Sequence, residues 1–231
     1  MTISELKIKH DELKKLNSKS KEKVFGSTSH KFEFNKKLSL KSVEAFEKKH
    51  KIVLPTDYKN FLTQIGNGGS GPYYGLNRLS DWGAELENKT NDFLSCDFPH
   101  TELWNLSNSF DDIEDDYYKT DAYIWWETEY YSDKQITGSM HICHYGCGVL
   151  YILIVSGKEA GNIWIDDRAN YEGIYPVISK NTGKKMDFLE WYGEWLDENI
   201  ELINSKNKGV INTPSSFLSK FLRRCMQRLY Q

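Results

Sequence analysis

Residues Val149-Leu150-Tyr151-Ile152-Leu153-Ile154-Val155 form an unbroken apolar run, bounded by Gly148 and by Ser156-Gly157. Its length and its β-branched and aromatic content point to a strand, and continuous apolarity places that strand centrally, covered on both faces. A short glycine-bounded link, Gly157 to Gly161, leads to Asn162-Ile163-Trp164-Ile165-Asp166. There Ile163 and Ile165 share one face and Trp164 takes the other, so the two strands read as a hairpin. A chain built on such a pair needs helices or long loops above and below it.

Helical patterns supply the cover. Ser39 or Ser42 caps a helix carrying Val43, Phe46 and His50. Pro55 suits the first position of the next, where Tyr58, Phe61, Leu62 and Ile65 recur at helical spacing and Gly66 offers a left-handed end. Asp187 and Glu190 have the spacing of a capping box before the stripe Phe188, Tyr192, Trp195 and Leu196. Leu6, Leu13 and Leu16 mark a lysine-rich N-terminal helix, and Lys19 to Lys37 reads as loop. The aromatic and acidic stretch Tyr73 to Asp133 reads as short strands and long loops. Ser205 to Pro214 is a polar linker before a basic amphipathic helix with Phe217, Leu218, Phe221 and Leu222 on its apolar side. Such a helix caps its own domain, meets a partner or lies on an anionic membrane, and the first is the commonest fate.

The 231 residues are 39% hydrophobic and 27% charged, with a mean hydropathy of -0.62. A chain of this size buries roughly 70–75% of its unfolded surface without a disulfide staple. No apolar run approaches the ~20 residues of a membrane span. The start, MTISELKIKHDELKK, has no apolar signal-peptide core, and four scattered cysteines make no disulfide framework, so the chain reads as cytoplasmic and reduced. A net charge of -3 excludes a uniformly basic nucleic-acid binder.

Charge is segregated along the chain. Residues 1–53 hold 14 lysines against 7 acids, whereas residues 81–130 hold 14 acids against Lys89 and Lys119. Asp111, Asp112, Glu114, Asp115 and Asp116 crowd the middle of the acidic stretch, and Lys220, Arg223, Arg224 and Arg228 give a basic tail. Solvated faces explain such runs most simply.

Chemistry-bearing motifs are weak. The glycine-rich loop Gly66 to Gly71 follows a helix, whereas phosphate-binding loops follow a strand, and it matches neither common pattern. His141, Cys143, His144 and Cys147 put four metal-ligand types within seven residues, but alternation along a strand sends neighbours to opposite faces. A thiolate at Cys143 or Cys147 beside His144 lacks an orienting third group. Asp166 and Asp167 diverge for the same reason, and an Arg168–Asp pair fixing the turn is the better reading. The acidic block lacks the ordering of a calcium loop. These residues predict no catalytic group, no metal and no cofactor.

Leu54-Pro55-Thr56-Asp57-Tyr58, Gly66-Asn67-Gly68-Gly69, Gly71-Pro72-Tyr73-Tyr74-Gly75-Leu76, Gly146-Cys147-Gly148, Gly161-Asn162-Ile163-Trp164-Ile165-Asp166-Asp167-Arg168 and Asp187-Phe188-Leu189-Glu190-Trp191-Tyr192 occur in this order. Together they resemble the SUKH superfamily over roughly residues 40–200. That superfamily contains bacterial immunity proteins against polymorphic toxins and fungal regulators of cell-wall synthesis. The resemblance implies a single α+β domain with a mixed or antiparallel sheet and helices packed against it, no catalytic residues, and a protein-binding role. It divides the chain into a lysine-rich helical extension at 1–38, a SUKH-like domain at 39–204, and a linker with a basic helix at 205–231.

The resulting expectation is an immunity protein in bacterial competition that neutralises a cognate toxin by stoichiometric binding, without nucleic-acid or membrane partners. Asp111, Asp112, Glu114, Asp115, Asp116, Tyr117 and Tyr118 are the candidate contact residues, with Trp104 and Phe110 flanking them. Carboxylates speed encounter with a basic toxin such as a nuclease, and aromatics supply anchors. The alternatives are a scaffold or regulatory module of the same fold and a metal-dependent or cysteine hydrolase using His141, Cys143, His144 and Cys147.

Overall fold

The computed structural model describes residues 1–86, 90–106 and 117–207. Its sheet is antiparallel, in the order β1 (Ser139–Gly146), β2 (Val149–Ile154), β3 (Ile163–Asp166) and β4 (Ile174–Pro176). The apolar run is the inner strand β2, with Ile152, Leu153 and Ile154 fully buried. Pairing of Tyr151 with Ile165 and of Ile152 with Trp164 sets the register, so side chains alternate between two covered faces. Tyr151 stacks on Trp191 at 5.2 Å, while Trp164 meets the ring of Phe98 edge-on at 4.9 Å. Helices therefore cover the Tyr151 face, and the segment around Phe98 covers the Trp164 face.

The helical layer consists of α1 (Ile3–Lys19), α4 (Thr56–Gln64) and α6 (Phe188–Asn207), which pack on one another. The lysine-rich α1 belongs to the common core, because Leu6 and Leu13 are fully buried in it. Phe61 of α4 packs against Phe188 at 5.1 Å and Tyr192 at 5.8 Å. Asp187 and Glu190 close the capping box: Asp187 accepts from the Glu190 N–H at 2.8 Å, and Glu190 accepts from the Asp187 N–H at 3.2 Å. Asp57 adds a second contact by accepting the Leu189 N–H at 3.2 Å. Ser39 caps α3 (Leu40–His50), and Val43 is its buried anchor.

Several local expectations change. Pro55 is the residue before α4 rather than its first. Gly66 is not left-handed; a side chain there would sit 2.7 Å from the Asn35 carbonyl oxygen, so close approach demands glycine. The positive φ angles fall at Gly68 and Gly69 instead. Ser27–His30 forms the single turn α2 inside the expected loop. The largest departure is α5, a helix at Asp121–Tyr130 where strands and loops were expected. Thr120 caps it by accepting the Tyr123 N–H at 3.2 Å. Ile124, Trp125 and Trp126 are consecutive, which erases helical periodicity from the sequence.

Candidate partner-binding surface

The reactive-looking residues of β1 are built into the core. Cys143 is fully buried and its thiol donates to the Pro72 carbonyl at 3.1 Å; desolvation drives its pKa far above the ordinary thiol range, which disfavours a nucleophilic thiolate. His141 is buried, neither ring nitrogen has a hydrogen-bond partner among the described residues, and desolvation lowers its pKa. Ile142 between them is buried too, so both faces of β1 are covered here, and a register irregularity falls between His141 and Cys143. Cys96 and Cys143 are free thiols. Among the described residues no three His, Cys, Asp or Glu side chains gather as a metal site.

The glycine loop is scaffold. Ser70 is fully buried, its hydroxyl lies 2.8 Å from His10 Nε2, and its carbonyl accepts from Tyr192 at 3.0 Å. Turns at Gly68 and Gly69 thus tie α1 to α6. A groove of about 490 Å³ opens beside α1 and the loop, lined in part by Lys7, Lys14, Lys37, Asp11 and Glu33. Cations and carboxylates both line it, so it carries no charge of a single sign.

A different region offers an outward surface. Arg168 and Asp166 form the expected pair, with Nε to Oδ1 at 2.8 Å and Nη2 to Oδ2 at 2.7 Å, both residues buried. Arg168 Nη1 also donates to the carbonyls of Tyr130 and Ser132, each at 3.0 Å. The cation therefore satisfies carbonyls at the C-terminal end of α5, where a positive charge is electrostatically favoured. On the inner side of α5, Trp126 stacks on Tyr130 at 4.8 Å, Tyr130 on Trp104 at 5.6 Å, and Trp104 on His100 at 5.1 Å. Trp126 Nε1 donates to the Leu106 carbonyl at 3.3 Å, and Tyr130 accepts the Gly173 N–H at 3.1 Å. One face of the helix is thereby fixed by stacking and by satisfied polar groups.

The opposite face is exposed. Ile124 is 51% accessible and Trp125 63%, with exposed Asp121 one turn before Trp125 and exposed Glu127 one turn after Ile124. Tyr118, 50% accessible, lies in the 3₁₀ turn Tyr117–Lys119 just before the Thr120 cap, and Lys119 sits 5.3 Å from its ring. Asp111, Asp112, Glu114, Asp115, Asp116 and Phe110 lie outside the described residues; the backbone of Tyr117 opens the 3₁₀ turn. Trp104 is no outward anchor, because it is one layer of the stack behind α5. Ile124 and Trp125 are the residues that sequence reasoning passes over, and the available signal was a Thr120 cap ahead of Asp121.

No described helix is long and apolar enough to cross a membrane. Comparison with curated proteins and with solved structures finds no match. The SMI1 / KNR4 family (SUKH-1) matches residues 37–182, well over half the chain and including the four-stranded sheet, α3, α4 and α5. On that match the chain belongs to the SMI1 / KNR4 family (SUKH-1).

Proposed function

We propose that this chain is a cytoplasmic immunity protein that binds a cognate bacterial toxin one-to-one and silences it without turnover. Family membership supports an immunity-type fold. The observation that carries the reading is the exposed acidic and aromatic surface formed by Tyr118 and the outer face of α5, which the acidic block immediately precedes in sequence. Asp111, Asp112, Glu114, Asp115, Asp116, Tyr117 and Tyr118 are the contact residues of this proposal. Carboxylates there raise the encounter rate with a basic toxin domain, and a nuclease presents such a surface because it handles phosphates.

The burial of Cys143 and His141 favours binding over hydrolysis, since neither thiolate nor imidazolium forms readily in a dry core. Co-expression with the toxin domain encoded by the adjacent gene tests the proposal. Restored growth together with a stoichiometric complex is the expected result, and toxicity undiminished by well-folded immunity protein contradicts it.

A further inference from the structure

We propose that Ile124 and Trp125 are the apolar anchor of this surface, and that its occupant is a partner protein offering an apolar slot rimmed by lysine or arginine. The inference rests on the partner-binding reading above. It adds which residues hold the complex together once electrostatics has brought it into being.

The two side chains are adjacent on one helix and more than half exposed, although each is a type that proteins normally bury. Their exposure is not slackness of the helix. The inner face is locked by the Trp126–Tyr130–Trp104 stack, and Arg168 holds the carbonyl of Tyr130 at the helix end. A tryptophan presented from such a support loses little freedom on binding and buries a large area, which is the physical character of an interface hot spot.

Charge selects the occupant. Asp121 and Glu127 flank the anchor, and residues 117–133 contain Asp121, Glu127, Glu129 and Asp133 against Lys119 alone. A second copy of the chain meeting this face would oppose carboxylates to carboxylates. A slot edged by Lys or Arg meets complementary charge and removes the indole from water.

The test uses the full-length chain and a catalytically inactivated form of the toxin domain from the adjacent gene. Trp125→Ala and Ile124→Ala are compared with wild type by binding kinetics, with melting temperature as the check on folding. The proposal predicts affinity lower by roughly 30-fold or more for Trp125→Ala, arising mainly from faster dissociation, with the wild-type salt response retained. Wild-type dissociation from Trp125→Ala overturns the anchor while leaving the functional proposal intact; failure of the wild-type chain to bind overturns both. The indole resonance assigned by Trp125→Phe is also followed in the free chain. If it is shielded from solvent at all concentrations, the face is occupied by the chain's own residues; if shielding appears only on concentration, the occupant is a second copy. Either result overturns the proposal.

Discussion

Arg168 holds both carboxylate oxygens of Asp166 from two residues away, at 2.8 and 2.7 Å, while its remaining nitrogen reaches the carbonyls at the end of α5. The pair joins the last residue of β3 to the helix that carries the exposed surface. Its members are buried, so each is tolerable only in the presence of the other.

Arg168→Met therefore leaves the Asp166 carboxylate without its charge partner and strips two carbonyls of a donor. The expected loss is about 3–5 kcal/mol, read from urea unfolding. The double variant Asp166→Leu with Arg168→Met should recover part of it, since no lone charge then remains. A loss below about 1 kcal/mol for the single variant contradicts the assigned role.

Burial lowers the pKa of His10, His30, His100 and His141, and that of His30 to about 4. A histidine whose folded pKa lies below its unfolded value of about 6.5 binds its proton first in the unfolded chain. Its contribution to stability is intact above about pH 6.5 and declines as pH falls toward about 4. Half-buried Asp57 and buried Asp167, whose pKa values are raised by desolvation, act in the opposite sense. His30→Gln isolates one histidine and keeps an acceptor for the Phe32 N–H that His30 Nδ1 now receives at 3.0 Å. Urea midpoints should fall less steeply with acid in the variant than in wild type between pH 6.5 and 4.5; parallel curves count against the assignment.

His141 gives an unusual expectation for a core substitution. Neither ring nitrogen has a hydrogen-bond partner among the described residues, and a buried unsatisfied polar group costs about 1–3 kcal/mol. His141→Leu should thus be neutral or stabilising at pH 7, and the gain should grow on acidification. Thermal unfolding at pH 7 and pH 5 checks this, with marked destabilisation at both as the contrary outcome.

Cys143→Ser and His144→Ala address chemistry directly. Both variants should protect against toxin in proportion to the folded protein they retain, because neither side chain is assigned a chemical step. A variant with normal stability and normal toxin binding but no protection would falsify the non-catalytic account.

The sheet was legible because β2 and β3 carry their own signals: continuous apolarity in Val149–Ile154, alternation around Trp164, and glycines between them. The capping box of Asp187 and Glu190 was equally local, as was the Asp166–Arg168 turn. Helix α5 was not, because its buried Trp126 and Tyr130 and its exposed Ile124 and Trp125 are chemically alike. Only tertiary stacking with Trp104 decides which of these aromatics faces inward. The sequence likewise could not tell that Gly66 is required by the nearness of Asn35 rather than by its own φ. At the surface, the aromatic and acidic composition marked residues 111–118 as the candidate stretch, while the outward placement of Ile124 and Trp125 needed the helix.

The central claim is that the acidic block before Tyr117 guides a basic toxin to its place. Its most direct test is the salt dependence of the association rate for wild type and for a variant with Asp111, Asp112, Glu114, Asp115 and Asp116 changed to Asn or Gln. Melting temperature serves as the check on folding, since changes to solvated charges typically alter stability by less than about 0.5 kcal/mol. Screening acts over about 8 Å at physiological ionic strength, so wild-type association should slow steeply as salt rises. The account predicts slower association at low salt and a much flatter salt response for the neutralised variant, with little change in dissociation. Association at the wild-type rate with the wild-type salt response would contradict it and leave the acidic block a solvated face.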